Sequence, residues 1–291
     1  MRRLTALLAA LLLVAMMAVP AQAATVHRVF TAAMGAGGGY GTAKITVYMD
    51  GSGRVDYALK GLKKGASYRA EVFRKSCGNL GSVVTRIPNI TVSSAGTVRV
   101  GRALSQTQMN AIWSANWYSP LALRIVAGAS MKCGNLAFVH ATRITLSYLS
   151  INLPIVRAPS GYPYCNVAMY MGTLNQPTEP GVTFIMAHAR KGMFLPLLTQ
   201  WQLNRGKNLI GKTVNVYTSN SKVSTYRITW VGTVLSVQSA VSVTAEQLWL
   251  QTSTGPHGTA AKLVVKAQRI STTTTTYAAS HPTPHIVHCG F

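Results

Sequence analysis

Leu248-Trp-Leu-Gln-Thr-Ser253 reads as a strand that ends on a short hydroxyl side chain, and the fold of the C-terminal half turns on it. A second apolar run, Lys262-Leu-Val-Val-Lys-Ala267, follows after a turn-forming segment. Upstream, Phe184-Ile-Met-Ala-His188-Ala-Arg190 is an apolar strand that delivers a histidine at its end. Short apolar runs bounded by turn signals are the pattern of buried strands. A histidine after one strand and a short nucleophile after another suggest an acyl-transfer site, because a hydroxyl needs a base in contact to attack a carbonyl.

Working outward, residues 151–270 read as a small β-barrel with little helix. Ile151-Asn-Leu-Pro-Ile-Val156 is a first strand, and Glu179-Pro-Gly181 introduces the strand that carries His188. Phe194-Leu-Pro-Leu-Leu198 and Trp201-Gln-Leu203 predict a helical turn packed on the sheet. Val214-Asn-Val-Tyr217 and residues 225–231 and 234–237 continue the sheet.

The order and spacing of these landmarks resemble the sortase family of transpeptidases, and the resemblance spans most of residues 151–270. In that family the strand before the active-site loop ends in Thr-Leu-x-Thr-Cys, and an arginine starts the next strand. Here the cysteine position reads Ser253 and the arginine position reads Lys262. The resemblance implies His188 as acid/base, Ser253 as nucleophile and Lys262 as the cation that steadies negative charge, acting on a cell-envelope peptide without a cofactor. A thiol ionises near pH ~8.5, whereas a serine hydroxyl depends on an aligned base. Serine hydrolases orient that base with a buried acid. Only Glu179 and Glu246 lie in the barrel segment, and neither stands at an obvious triad spacing. Lysine keeps the charge of arginine but loses its planar two-pronged donor. The plain alternatives are a polar rim residue for His188 and a turn residue for Ser253, ahead of Thr254-Gly-Pro.

Residues 24–147 predict an antiparallel β-sandwich. Ala43-Lys-Ile-Thr-Val-Tyr-Met49, the turn Asp50-Gly-Ser-Gly53 and Arg54-Val-Asp-Tyr-Ala-Leu59 form a hairpin. Further strands are expected at residues 68–73, 96–100, 121–126 and 138–146, with a short helix within 104–114. Residues 24–40 read as loose, including the glycine-rich turn at 34–41. Residues 53–73, with Cys77 and Cys133, are loosely similar to sandwich domains related to chordin repeats and copper-zinc superoxide dismutase. Such metal sites need several strand histidines, and only His140 is on offer, so no metal is expected. The architecture expected is therefore all-β: an N-terminal antiparallel sandwich, then a sortase-like barrel, then a low-complexity tail at 271–291.

Residues 1–23 read as an export signal, with Met1-Arg-Arg, an apolar core and Ala21-Gln-Ala23 at the cleavage position. The alternative is an uncleaved N-terminal membrane anchor. Either places the protein outside the cytoplasm, secreted or on the cell surface. Export suits the four cysteines. Cys77 and Cys133 sit in near-identical Cys-Gly-Asn-Leu settings, and pairing Cys77–Cys133 with Cys165–Cys289 keeps each bridge within one half. Cys165 as a relocated nucleophile is the competing reading. His281, His285, His288 and Cys289 cluster near the end, but match no defined zinc spacing.

The chain of 291 residues carries 28 Lys and Arg against five Asp and Glu, a net charge of +23. Outside the cell such an excess attracts anionic wall polymers or lipid headgroups, and no nucleic-acid module is present. Two functions follow from these readings. One is an exported acyltransferase or peptide hydrolase using Ser253 with His188. The other is a catalytically silent, basic wall-associated binding protein that keeps the groove. The sequence leaves the oligomeric state open.

Overall fold

The computed structural model describes residues 25–236, 238–255 and 261–289. The export signal read at residues 1–23 lies outside the described residues. Among the described residues, no helix is long and apolar enough to cross a membrane.

Eight strands form the first sheet. They are β1 (Val26–Ala33), β2 (Gly41–Tyr48), β3 (Gly53–Leu59), β4 (Ser67–Arg74), β5 (Val83–Thr91), β6 (Val98–Leu104), β7 (Leu121–Ala127) and β8 (Ser130–Ala137). All pair antiparallel in the order β5-β4-β7-β8-β1-β2-β3-β6. The sheet folds over on itself, so that its edge strands β5 and β6 approach each other. Helix α1 (Gln106–Ala115) lies against β5, its start fixed by a capping box between Ser105 and Gln108. The β2–β3 hairpin forms as read, with Ile45 opposite Val55 and Gly51 in the left-handed region at φ 79°.

The loose reading of residues 24–40 is corrected at β1. Its buried Phe30 and Ala32 alternate with more exposed neighbours, but His27 and Arg28 break the apolar pattern that marks a strand. Arg28 is only 2% exposed because it joins the two halves of the chain. Its guanidinium donates to both carboxylate oxygens of Glu179 at 2.8 and 2.7 Å, and to the carbonyls of Gly172 and Leu174 at 2.6 and 2.8 Å. It also lies between the Trp113 and Phe138 rings.

The second half is a closed barrel in the order β10-β12-β13-β16-β17-β15-β14-β9. Its strands are β9 (Ala141–Leu146), β10 (Ile151–Arg157), β12 (Ala168–Tyr170), β13 (Val182–Met186), β14 (Thr213–Thr218), β15 (Lys222–Val234), β16 (Gln247–Ser253) and β17 (Lys262–Thr274). Two short strands, β11 (Tyr164–Cys165) and β18 (Val287–His288), form a separate ladder. Helix α2 (Leu195–Asn204) follows β13 and buries Leu197 and Leu198. The strand read at 138–146 as the last of the sandwich instead closes the barrel. From Ala141 it pairs with β10 on one side and β14 on the other. Ala141, Ile144 and Leu146 suit a buried face of either sheet, so local pattern could not choose between partners.

The tail is also more ordered than its composition suggests. Residues 272–274 complete β17, Tyr277–Ser280 makes one helical turn, and β18 returns to β11. One core cluster runs from Phe30 and Ile45 in the first sheet to Ile185, Leu250 and Val265 in the barrel.

Candidate active site

Strand alternation sorts the residues of β13, β16 and β17 onto two faces. Ile185, Leu248, Leu250, Leu263 and Val265 point into the main core. Phe184, Trp249 and Val264 point out into a second small cluster under the Gln238–Val241 turn. By the same alternation His188 follows Phe184, Ser253 follows Trp249 and Lys262 precedes Val264, so all three belong to the outer face.

Pairing then sets them side by side. β13 and β16 are parallel, with Met186 opposite Gln251, so both strands end together. The Ala187 amide donates to the Gln251 carbonyl at 3.1 Å, and the buried Thr252 hydroxyl donates to the Ala187 carbonyl at 2.8 Å. β16 and β17 are antiparallel, with Ser253 directly opposite Lys262. The result is a row of imidazole, hydroxyl and ammonium across three neighbouring strands at one end of the barrel. One cavity of about 500 Å³ contains all three. Met169, Met186 and Gln251, in register across three strands, contribute to its lining.

Nε2 of His188 lies 3.2 Å from the Pro163 carbonyl. A carbonyl can only accept, so the neutral ring carries its proton on Nε2 and offers Nδ1 as the acceptor. The ring also packs on Tyr162, 5.2 Å between centroids. The ring's hydrogen-bond partner is thus a backbone carbonyl, where a serine-hydrolase triad has a carboxylate. No hydrogen bond joins Ser253 to His188 among the described residues.

The cavity is cationic because the acids are used elsewhere. Glu179 is paired with Arg28, Glu246 with Arg269, Glu71 with Arg69, Arg86 and Arg124, and Asp56 with Arg54. Asp50 accepts from the Ser52 amide. Lys262, His188 and Arg190 line the cavity, and none of its described lining residues is acidic. Arg190 and Pro163 were missed in the sequence. Arg190 follows His188 by two residues, which was the one available signal.

Both disulfides form as paired from the sequence: Cys77–Cys133 and Cys165–Cys289. The second stands at the edge of the site. A ring nitrogen of His188 lies within 4.8 Å of both sulfurs, and Arg190 Nη1 lies 3.4 Å from Cys165 Sγ. Both sulfurs are committed to each other. The terminal histidines point elsewhere: His281 stacks on Tyr277 and His288 meets Tyr164 edge-on.

No protein-family model and no curated protein matches this chain. It is similar to solved structures of sortases. Sortase A of Listeria monocytogenes shares 17% identity over 47% of this chain and 91% of that one, with a TM-score of 0.39. Sortase C2 of Pilus Island 1 from Group B Streptococcus shares 16% over 44% and 73%, with a TM-score of 0.37. Sortase C of Streptococcus pneumoniae shares 17% over 45% and 67%, with a TM-score of 0.37.

Proposed function

We propose that this protein is an exported, sortase-like acyltransferase or peptide hydrolase acting on a cell-envelope peptide, with Ser253 as nucleophile and His188 as acid/base. The observation that carries the reading is the row His188, Ser253, Lys262 at the shared end of β13, β16 and β17 in one cavity. Ser253 Oγ attacks the peptide carbonyl carbon, and His188 takes the hydroxyl proton on the nitrogen not committed to Pro163. Negative charge gathering on the carbonyl oxygen is met by Lys262 or Arg190 from the cavity wall. The imidazolium then protonates the leaving amine, and an amine or water resolves the ester. Turnover of wall-peptide substrates by the parent, Ser253→Ala and His188→Ala tests this. Loss of turnover in both variants supports the proposal, and full activity of Ser253→Ala overturns it.

The second reading, a catalytically silent wall-binding protein, is favoured by one specific observation. Among the described residues, no hydrogen bond joins Ser253 to the imidazole, and the ring's partner is the Pro163 carbonyl and not an acid. A cationic cavity on a strongly basic chain would then hold an anionic wall polymer or lipid headgroup. Binding of that kind weakens as salt rises. Retention unchanged between low and high salt excludes it.

A further inference from the structure

The Cys165–Cys289 bridge has surroundings that a purely structural disulfide does not need. Cys165 is buried, at 7% exposed, while Cys289 is partly exposed near the chain end. Arg190 donates toward Cys165 Sγ at 3.4 Å, and His188 lies within 4.8 Å of both sulfurs. Outside the bridge, among the described residues, β18 is tied to β11 by two residue pairs, Tyr164 with His288 and Cys165 with Val287. The Cys77–Cys133 bridge offers the contrast. Both of its cysteines are partly exposed and line a surface cavity, so it is no less accessible. The hydrogen bond recorded there is neutral, Asn135 accepting from the Cys77 amide, and Lys132 in the same cavity lies over the Tyr40 ring, 4.0 Å from its centroid.

We propose that Cys165–Cys289 is a thiol–disulfide exchange site, with Cys289 the sulfur attacked and Cys165 the leaving thiolate. The co-reactant is a dithiol. Its thiolate attacks Cys289 Sγ, the bond between the two cysteines breaks, and the electron pair leaves on Cys165 Sγ. Arg190, with the His188 ring beside it, stabilises that thiolate, which speeds its departure. The second thiol of the reductant resolves the mixed disulfide and frees Cys289. The dithiol is oxidised by two electrons, the protein pair is reduced, and the dithiol's two protons pass to the freed cysteines or to solvent. Reduction also removes the covalent tie between β18 and β11, leaving a thiolate beside the imidazole. This proposal stands whether or not Ser253 reacts.

The test uses the full chain in a dithiothreitol time course at pH 7, quenched by acid, alkylated and mapped by peptide mass spectrometry. Cys165–Cys289 is expected to open several-fold faster than Cys77–Cys133, since a leaving thiolate that is better stabilised departs faster. Arg190→Ala should slow that opening several-fold, Arg190→Lys should retain most of it, and neither should move Cys77–Cys133, which reports that the fold is intact. In Cys289→Ser, alkylation of the free Cys165 should reach half its maximal rate below the ordinary thiol value of ~8.5, and Arg190→Ala should move that point upward. Equal opening rates for the two bridges in the parent, or an Arg190→Ala rate equal to the parent's, overturns the proposal. Because the readout is sulfur chemistry, its failure is separate from any failure of acyl transfer at Ser253.

Discussion

Replacing Arg28 by Met tests whether the two halves of the chain fold as one. Arg28 makes four hydrogen bonds into the barrel half, two to Glu179 and two to backbone carbonyls. Methionine approximates its length and keeps apolar contact with Trp113 and Phe138, so the loss is mainly polar. Breaking one side of a buried ion pair costs about 3–5 kcal/mol, because the partner stays behind without compensation. Glu179 retains the Gln176 amide at 2.8 Å and its side chain is 14% exposed, which points to the lower end of that range. In a Glu179→Met background the stranded charge is gone, and the Gly172 and Leu174 carbonyls each lose one of two donors, Asn116 and Gln176 remaining. The same Arg28→Met change should then cost less, by a coupling energy of about 1–3 kcal/mol. Urea unfolding followed by tryptophan fluorescence reads both legs. The parent should show one transition, because one core cluster spans both halves. A cost below about 1 kcal/mol for Arg28→Met, or strict additivity with Glu179→Met, would refute the reasoning.

Two further outcomes are expected. Burial first, and then the nearby charges of Arg157, His281 and Arg28, hold the His140 imidazole below its ordinary pKa, against the raising effect of its bond to the Phe138 carbonyl. The unfolded chain therefore binds the proton more readily, so the stability from neutral His140 is complete above pH ~6.5 and is lost as pH falls toward the lower folded value. Urea midpoints should drop between pH 7 and pH 5, and His140→Gln should flatten that slope; an unchanged slope would count against it. Thr252→Val removes the buried bond that ties the end of β16 to Ala187. It should cost about 1–3 kcal/mol and lower turnover more than binding, since it loosens the spacing of His188 and Ser253. Parent-like kinetics in a destabilised Thr252→Val protein would contradict that positioning role.

The candidate site's residues could be singled out because they sit on short-range signals. His188, Ser253 and Lys262 each mark the boundary of an apolar run, and strand ends are readable from composition alone. The β2–β3 hairpin was legible for the same reason: turn residues act within a few positions. What escaped were facts about partners distant in sequence. The sheet joined by Ala141–Leu146 depends on β10 and β14, not on its own residues. β1 was hidden by Arg28, whose burial makes sense only beside Glu179, 151 residues away. Pro163 as the histidine's hydrogen-bond partner is a backbone contact, and backbone carbonyls carry no sequence signature. The two disulfides were readable as a pairing, but the placement of Cys165–Cys289 against His188 and Arg190 was not.

The proposed acyl transfer is tested most directly by trapping the ester. The parent is incubated with an activated ester or a wall-peptide substrate, quenched in acid, and measured by intact mass and peptide mapping. One acyl group per chain should be found on Ser253, absent in Ser253→Ala and formed about 10²–10⁴-fold more slowly in His188→Ala. An unmodified Ser253 under conditions where the peptide is consumed, or an adduct that forms equally fast without His188, would contradict the account.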